Sequence, residues 1–297
     1  MTKTFCFLLF ICMGFKSQGQ HYPPGKVFRI TSSRNMFPDS LRNVQPRVYD
    51  DKTYTAAEHY NDSTVFIFVP DYYDKTKATN FVFWFHGWNN NIDSALSQFQ
   101  LLEQFYAAHQ NAIFVFPEGP KNAPDSYCGK WEQKRAFTSF YINDIWMFLS
   151  NEKILVGGYG PDATITLAGH SGAYRVIGKI DQGNDHLVAE IILFDALYGE
   201  IDGFVDFALR IHRQLSSKAP KKFINIYTDN GGTQQNSLDF LKTLDSLHIP
   251  YLHKEEDELV SGDLKNNRII FLHSKKTHNE VITNNRNFER FLKKEAY

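Results

Sequence analysis

The stretch "ITLAGHSGAY", residues Ile165 to Tyr174, decides the fold of this chain. A mostly apolar run stops at Ser171, which has one glycine two positions before it and another directly after it. Glycine adopts backbone angles and close contacts that other residues do not, so Gly169 and Gly172 indicate a sharp turn. Such a turn between a strand and a helix exposes a serine as a nucleophile elbow does. We therefore expect Ser171 to be a nucleophile.

Outward from this stretch, short apolar runs alternate with longer amphipathic runs. Strands are predicted over "TVFIFVP", "FVFWFHG", "AIFVFPEG", "TITLAGH", "AEIILFDA", "FINIYTD" and "RIIFLH". Helices are predicted between most of them. This alternation predicts an α/β fold, with a mostly parallel central sheet flanked by helices on both faces. Only one helix-length segment separates "FDA" from "FINIYTD", so we expect no large lid domain.

Two long amphipathic segments are each predicted to be a single helix. They are "DSALSQFQLLEQFYAAH", capped by Asp93 or Ser94, and the final segment "EVITNNRNFERFLKK". The charged run "HKEEDE" is predicted to be a solvated face. Residues 61–297 are expected to form a single domain, and residues 21–60 an N-terminal extension or edge strands.

The first twenty residues have the outline of a secretory signal peptide. A lysine precedes the apolar run "FCFLLFICMGF", and small and polar residues follow it. Residues 1–20 are therefore predicted to be removed on export to the periplasm or the extracellular space. Cys6 and Cys12 would be lost with them, which leaves Cys128 as the single thiol of the mature chain.

Composition and spacing exclude several other classes of protein. The formal net charge of the 297-residue chain is -1, which argues against nucleic acid as a partner. No segment after the signal peptide approaches the ~20 apolar residues of a membrane span. The histidines lack ligand spacing, so we expect no metal site. Chemistry at a nucleophilic serine requires no cofactor, and none is expected. Oligomeric state is left open.

The motifs "GHSGA" and "FHGW", with a histidine before the last helix, resemble those of the α/β-hydrolase family. In the family pattern Gly-x-Ser-x-Gly, Ala173 stands at the last position. The resemblance implies that the backbone N–H groups of Trp88 and Gly172 form an oxyanion hole. His86 is expected to order its loop rather than to act in catalysis.

The catalytic base is expected in the loop after the last strand. There the resemblance implies His278, in "HSKKTHNEV", between that strand and the final helix. His273 is the alternative, but it lies at the strand end itself, where a packed or partly exposed residue is expected.

The acid that would orient the base has two candidates. Asp229 follows "FINIYT", where most members of the family carry their acid, and Asp195 follows "EIILF", as in the pancreatic-lipase branch. A carboxylate next to Leu193 and Phe194 is hard to solvate and needs a partner, which slightly favours Asp195. Asp229 has a simpler role available, because it can hydrogen-bond the backbone of its own turn. Both candidates stay open.

The sequence says less about the substrate. The loop "FPEGPKNAPDSYCGKWE" resembles the substrate-side loop of secreted esterases of the polyhydroxybutyrate-depolymerase and feruloyl-esterase type. An open site for an ester or other acyl substrate would be rimmed by four aromatic residues: Trp88, Tyr127, Trp131 and Tyr198. The prediction is an exported serine esterase. The alternatives are a serine peptidase or amidase with the same triad, and a catalytically silent surface binding protein with the same fold.

Overall fold

The structure, a computed structural model, describes residues 22–156, 163–183, 187–213, 221–229, 232–260 and 262–293. The predicted signal peptide, with Cys6 and Cys12, lies outside these residues. The strands are β1 Gly25–Thr31, β2 Arg47–Tyr49, β3 Lys52–Tyr54, β4 Thr64–Pro70, β5 Asn80–Phe85, β6 Ala112–Pro117, β7 Thr164–His170, β8 Val188–Phe194, β9 Lys222–Thr228, β10 Leu252–Glu255 and β11 Ile269–Ser274.

The helices lie between these strands along the chain, except for the last two, which follow β11. They are α1 Ser40–Val44, α2 Ala56–His59, α3 Ile92–Gln98, α4 Leu101–Ala108, α5 Ala136–Phe140, α6 Met147–Asn151, α7 Tyr174–Gly183, α8 Ile201–Arg213, α9 Gln234–Ser246, α10 Asp263–Asn266, α11 Glu280–Thr283 and α12 Asn287–Lys293. A π-helical turn, Tyr141–Trp146, joins α5 to α6.

Within the described residues the strands form one large sheet and one small hairpin. The nine-stranded sheet has the order β1-β4-β6-β5-β7-β8-β9-β11-β10, and β2 pairs with β3. Within the large sheet, β4 is antiparallel to both of its neighbours and the remaining pairs are parallel, whereas β2 and β3 are antiparallel. The prediction of a mostly parallel sheet is therefore confirmed. The carboxyl ends of β5, β7, β8 and β9 meet along one edge, where ligands bind in such sheets.

Helices cover both faces of the sheet, as predicted. One core contains residues of α5, α7, α8 and α9, including Phe137, Ile177 and Phe204. The opposite core contains residues of α3, α4, α11 and α12, including Phe105 and Phe288. Because both faces are covered, the central strands are apolar along almost their whole length.

The two long predicted helices are each interrupted. The first divides into α3 and α4 at Gln100, whose φ of 49° is left-handed, and Asn91 caps α3 by accepting a hydrogen bond from the Ser94 N–H. The prediction that Asp93 or Ser94 is the cap was wrong. The final segment is interrupted in the same way at Asn285, which has a φ of 62°.

The charged run "HKEEDE" is a solvated face only in part, because His253, Asp257 and Glu258 are exposed whereas Glu256 is buried. Its first half belongs to β10, which pairs in parallel with β11 at the edge of the sheet. Glu256 is 3% exposed and accepts hydrogen bonds from Ser274, Asn285 and Asn287. Side-chain partners at the end of β11 and around the start of α12 make burial of this carboxylate possible, and the local sequence does not show them.

The N-terminal segment contributes directly to the sheet. Strand β1 pairs with β4 along its whole length, from Gly25 opposite Pro70 to Thr31 opposite Thr64. Between β8 and β9 the described residues contain α8 and no lid domain. No helix among them is long and apolar enough to cross a membrane.

Candidate active site

Ser171 lies at the sharp turn between β7 and α7. Its φ of 56° is left-handed, a conformation that costs about 1 to 3 kcal/mol for a residue other than glycine and that persists only where surrounding structure enforces it. A Cβ atom on Gly169 would lie 2.6 Å from Ala173 Cβ and 2.9 Å from Ile177 Cδ1. Glycine at this position therefore allows the start of α7 to pass close to β7.

The loop after β5 lies directly against the serine. A Cβ atom on Gly87 would lie 2.6 Å from Ser171 Cβ and 3.1 Å from Ser171 Oγ. A Cβ atom on Gly172 would lie 2.5 Å from Trp88 Cδ1. The segments that carry the Trp88 and Gly172 N–H groups are thus in contact with each other at the serine.

His86 holds this loop in place. It is buried, and its Nδ1 lies 2.7 Å from the Gly87 carbonyl oxygen. Its Nε2 lies 2.9 Å from Glu118 Oε1, and the other oxygen of Glu118 accepts a hydrogen bond from the Ile92 N–H at 3.2 Å. These contacts connect the loop to β6 and to the start of α3.

His278 pairs with Asp195. The two are 83 residues apart in sequence, and Nδ1 of His278 lies 2.5 Å from Oδ2 of Asp195. The His278 side chain is 34% exposed, whereas the carboxylate is fully buried. Among the described residues no hydrogen bond joins Ser171 Oγ to His278, and catalytic hydrogen bonds of this kind commonly tighten only when substrate binds.

Asp195 is surrounded by hydrogen-bond donors. Besides His278 it accepts from the Thr228 N–H at 3.1 Å, from the Thr228 hydroxyl at 2.9 Å and from the Thr233 hydroxyl. Burial opposes ionisation of the carboxyl, but the hydrogen bonds from His278 and Thr233 outweigh it and hold the pKa of Asp195 below its usual value. Asp195 is therefore a charged partner for the imidazole at neutral pH.

The other acid and the other histidine pair with each other. His273 Nε2 lies 2.8 Å from Asp229 Oδ1, and His273 Nδ1 lies 2.8 Å from Glu255 Oε1. Burial lowers the pKa of His273, yet the two carboxylates outweigh it and raise this pKa above its usual value. The structure thus separates the four candidates into two pairs, and His278 shares its pair with Asp195.

The predicted aromatic rim is only partly assembled. Trp88 is 39% exposed, and its Nε1 donates to Ser126 Oγ at 2.8 Å. The half-buried Tyr198 ring meets the His278 ring edge to face at 6.3 Å between centroids. The Tyr127 hydroxyl donates to Asp39 at 3.1 Å, and burial, followed by the charge of Asp39, raises the pKa of Tyr127 to about 12.

Trp131 is not part of the rim. It is 1% exposed, packs on the Phe137 and Phe140 rings, and donates from Nε1 to the Arg34 carbonyl oxygen at 2.8 Å. The expectation that Trp131 contacts substrate is corrected, because the loop after β6 turns this ring into the core and leaves no face of it open.

A small cavity lies beside the elbow, on the side of the loop after β5. It measures about 20 Å³ and its lining includes His86, Asp125, Ser126, Tyr127 and Gly172. That volume is comparable to one water molecule. Within the described part of the chain, no cluster of histidine, cysteine and acidic residues could hold a metal ion.

Sequence reasoning assigned no role to His170, the residue before Ser171. Its ring lies 4.3 Å from the His278 ring between centroids, and its Nε2 lies 2.9 Å from the His278 carbonyl oxygen. The sequence could have drawn attention to His170 only through its position inside the elbow motif. It could not show the partner of His170, because His278 is 108 residues away.

Comparison with known proteins finds structural similarity without sequence similarity. No protein-family model matches the chain, and no curated protein matches it significantly. A ferulic acid esterase of known structure superposes with a TM-score of 0.51 at 9% identity, covering 92% of this chain and all of that chain. The feruloyl esterase module from Clostridium thermocellum, solved as a mutant with sinapinate, gives 0.52 at 16% identity, covering 93% and 96% of the two chains.

A further solved structure, described as FAE, superposes with a TM-score of 0.53 at 12% identity and covers 92% of this chain and 88% of that chain. At these identities the similarity concerns the arrangement of strands and helices. Together with the order of the sheet and the turn at Ser171, it shows that the chain has the α/β-hydrolase fold.

Proposed function

We propose that this protein is a serine hydrolase that cleaves a carboxylic ester. In this mechanism Ser171 Oγ attacks the carbonyl carbon, while His278 takes the hydroxyl proton and passes it to the leaving alcohol. Water then hydrolyses the acyl-enzyme, again with His278 as base. The observation that carries the proposal is the buried carboxylate of Asp195, 2.5 Å from His278 Nδ1, at the sheet edge where the strained Ser171 stands.

Asp195 orients the imidazole in this proposal. An ionised carboxylate at Nδ1 selects the tautomer whose Nε2 is free to accept a proton, and it stabilises the imidazolium that then forms. The hydrogen bonds from Thr228 and Thr233 keep the carboxylate charged and fixed in direction. Asp229 has no such role, because it contacts His273.

The oxyanion of the tetrahedral intermediate needs preorganised donors. The backbone N–H groups of Trp88 and Gly172 are proposed for this role. Support comes from the contact between the two segments, since a Cβ atom on Gly87 would overlap Ser171 and one on Gly172 would overlap the Trp88 ring. No cofactor takes part in these steps.

The substrate is proposed to be an ester with a bulky or extended acyl group. Trp88 and Tyr198 would line the entrance, and Tyr127 would line the side of the loop after β6. The exposed face of Trp88 and the edge-on position of Tyr198 beside His278 support this assignment. Removal of residues 1–20 and export of the enzyme also belong to the proposal.

The test is reaction with a fluorophosphonate probe and hydrolysis of short-chain aryl esters, beside a panel of peptide substrates. Ser171→Ala is expected to abolish both labelling and ester hydrolysis. Its stability should stay within ~1 kcal/mol of the wild type, since one hydroxyl is removed. Ser97→Ala, an exposed helix position, is the matched control and should behave as the wild type. Full activity of Ser171→Ala would refute the proposal. Cleavage of peptides in preference to esters would show that the protein is a peptidase and not an esterase.

A further inference from the structure

His170 is a buried, titratable side chain that the proposed mechanism does not use. It ends β7, directly before Ser171, and is 4% exposed. Its ring lies next to two others, with centroid distances of 5.1 Å to Phe99 and 4.3 Å to His278. The residue next to the nucleophile is thus packed against the base.

A hydrogen bond accompanies this packing. His170 Nε2 lies 2.9 Å from the backbone carbonyl oxygen of His278. Because a carbonyl only accepts, the proton of the neutral ring is on Nε2. Burial, followed by the charge of His278, lowers the pKa of His170 to about 3. The ring therefore stays neutral and adds no repulsion when His278 becomes an imidazolium.

His278 is consequently held at two points. Its imidazole is held by Asp195, which follows β8, and its main chain is held by His170 at the end of β7. The two strands are adjacent, with His170 opposite Phe194. The hydrogen bond to Asp195 fixes the direction of the His278 ring. The hydrogen bond from His170 fixes the position of the His278 backbone.

We propose that His170 is a positioning residue that sets the distance between Ser171 Oγ and the imidazole of His278. This inference rests on the proposed function. His170 is covalently bonded to Ser171 and hydrogen-bonded to His278, so a single rigid side chain connects the nucleophile to the base. It acts on the reaction through the geometry of these two neighbours and takes no part in proton transfer.

Three variants separate the hydrogen bond from the packing. In His170→Asn the side chain is too short for its N–H group to reach the His278 carbonyl oxygen. In His170→Gln the side chain is longer, and it keeps an N–H group near the position of Nε2. Phe99→Leu alters the packing of the His170 ring and leaves both partners of the hydrogen bond in place. All three are compared with the wild type by thermal unfolding, by kcat and KM for an aryl ester, and by the low-field proton NMR signal of His278 Nδ1–H.

A displaced base lowers kcat and changes KM little, because it weakens stabilisation of the transition state and leaves substrate binding unchanged. His170→Asn should lose ~10²-fold in kcat with little change in KM. Its His278 Nδ1–H signal should broaden or disappear as the contact with Asp195 loosens. His170→Gln should recover at least ~10-fold of the loss, and Phe99→Leu should retain both kcat and the signal.

The inference is overturned if a folded His170→Asn keeps the wild-type kcat and NMR signal, or if Gln and Asn lose the same activity. If His170→Asn fails to fold, His170→Gln and Phe99→Leu decide between the hydrogen bond and the packing. Equal losses of kcat in these two variants would assign the effect to packing and overturn the inference. The NMR signal needs no turnover. A wild-type protein that does not react with fluorophosphonate would therefore refute the proposed function while the positioning role is still tested.

Discussion

Asp195 Oδ2 lies 2.5 Å from His278 Nδ1, while Asp229 Oδ1 lies 2.8 Å from His273 Nε2. Each aspartate follows a different strand of the sheet, and each has its own histidine. The two pairs differ in burial, since the Asp195 side chain is fully buried and that of Asp229 is 49% exposed. This difference determines how mutations at the two pairs should behave.

Replacement of Asp195 by asparagine should cripple the enzyme. The amide keeps the shape of the carboxylate but favours the wrong tautomer of His278, so turnover should fall by up to ~10⁴-fold. The measurement is kcat for an aryl ester, and Asp229→Asn is the matched control, expected to lose little beyond its bond with His273. A crippled Asp229→Asn beside an active Asp195→Asn would transfer the role of the acid to Asp229.

Replacement of His278 should reduce activity far more than replacement of His273, as for their partners Asp195 and Asp229. His278→Ala should lose at least ~10⁴-fold in kcat, and the double variant with Ser171→Ala should be no worse than either single one, because the two residues act as a unit. His273→Ala should keep activity within ~10-fold. An inactive His273→Ala with an active His278→Ala would show that the base is misassigned.

Gly87→Ala tests the close contact at the elbow. The new methyl group would lie 2.6 Å from Ser171 Cβ and 2.9 Å from the His170 carbonyl oxygen, so the loop or the serine must move. A shift of about 1 Å at the reacting groups can cost ~10²-fold in kcat/KM. Gly203→Ala is the control, since the nearest atoms to its methyl group belong to the flexible Gln182 side chain. Equal activity of both variants would argue against a tight loop.

The His273 pair should make stability depend on pH. The two carboxylates raise the pKa of His273 above its ordinary value of 6.5, so the folded state binds the proton more tightly than the unfolded state does. The stabilisation is fully present below pH 6.5 and is lost as the pH rises through the higher folded-state pKa.

Urea unfolding of the wild type and of His273→Gln across this range is the measurement. The difference in unfolding free energy should shrink as the pH rises. His253→Gln provides a contrast of opposite sign, since burial, followed by the charge of His273, lowers the pKa of His253. A difference for His273→Gln that does not vary with pH would contradict this account of the pair.

Local sequence patterns alone determined much of this protein. The apolar run that ends in Gly169 and His170, with Ser171 and Gly172 before a helical segment, predicted the elbow, because glycines permit a sharp turn between a strand and a helix. The alternation of apolar strands and amphipathic helices predicted the two-faced parallel sheet, since strands buried on both sides must be apolar throughout. These features depend on residues close together in the chain.

Tertiary structure decided the rest. Asp195 and Asp229 both end strands, and only the packing of distant loops brings His278 to one and His273 to the other. Trp131 and Glu256 have ordinary loop sequences around them, yet one enters the core and the other finds buried donors. His170 acquires its partner in the same way. Contacts across many tens of residues arise from the order of the strands, which no local pattern of hydrophobic and polar residues specifies.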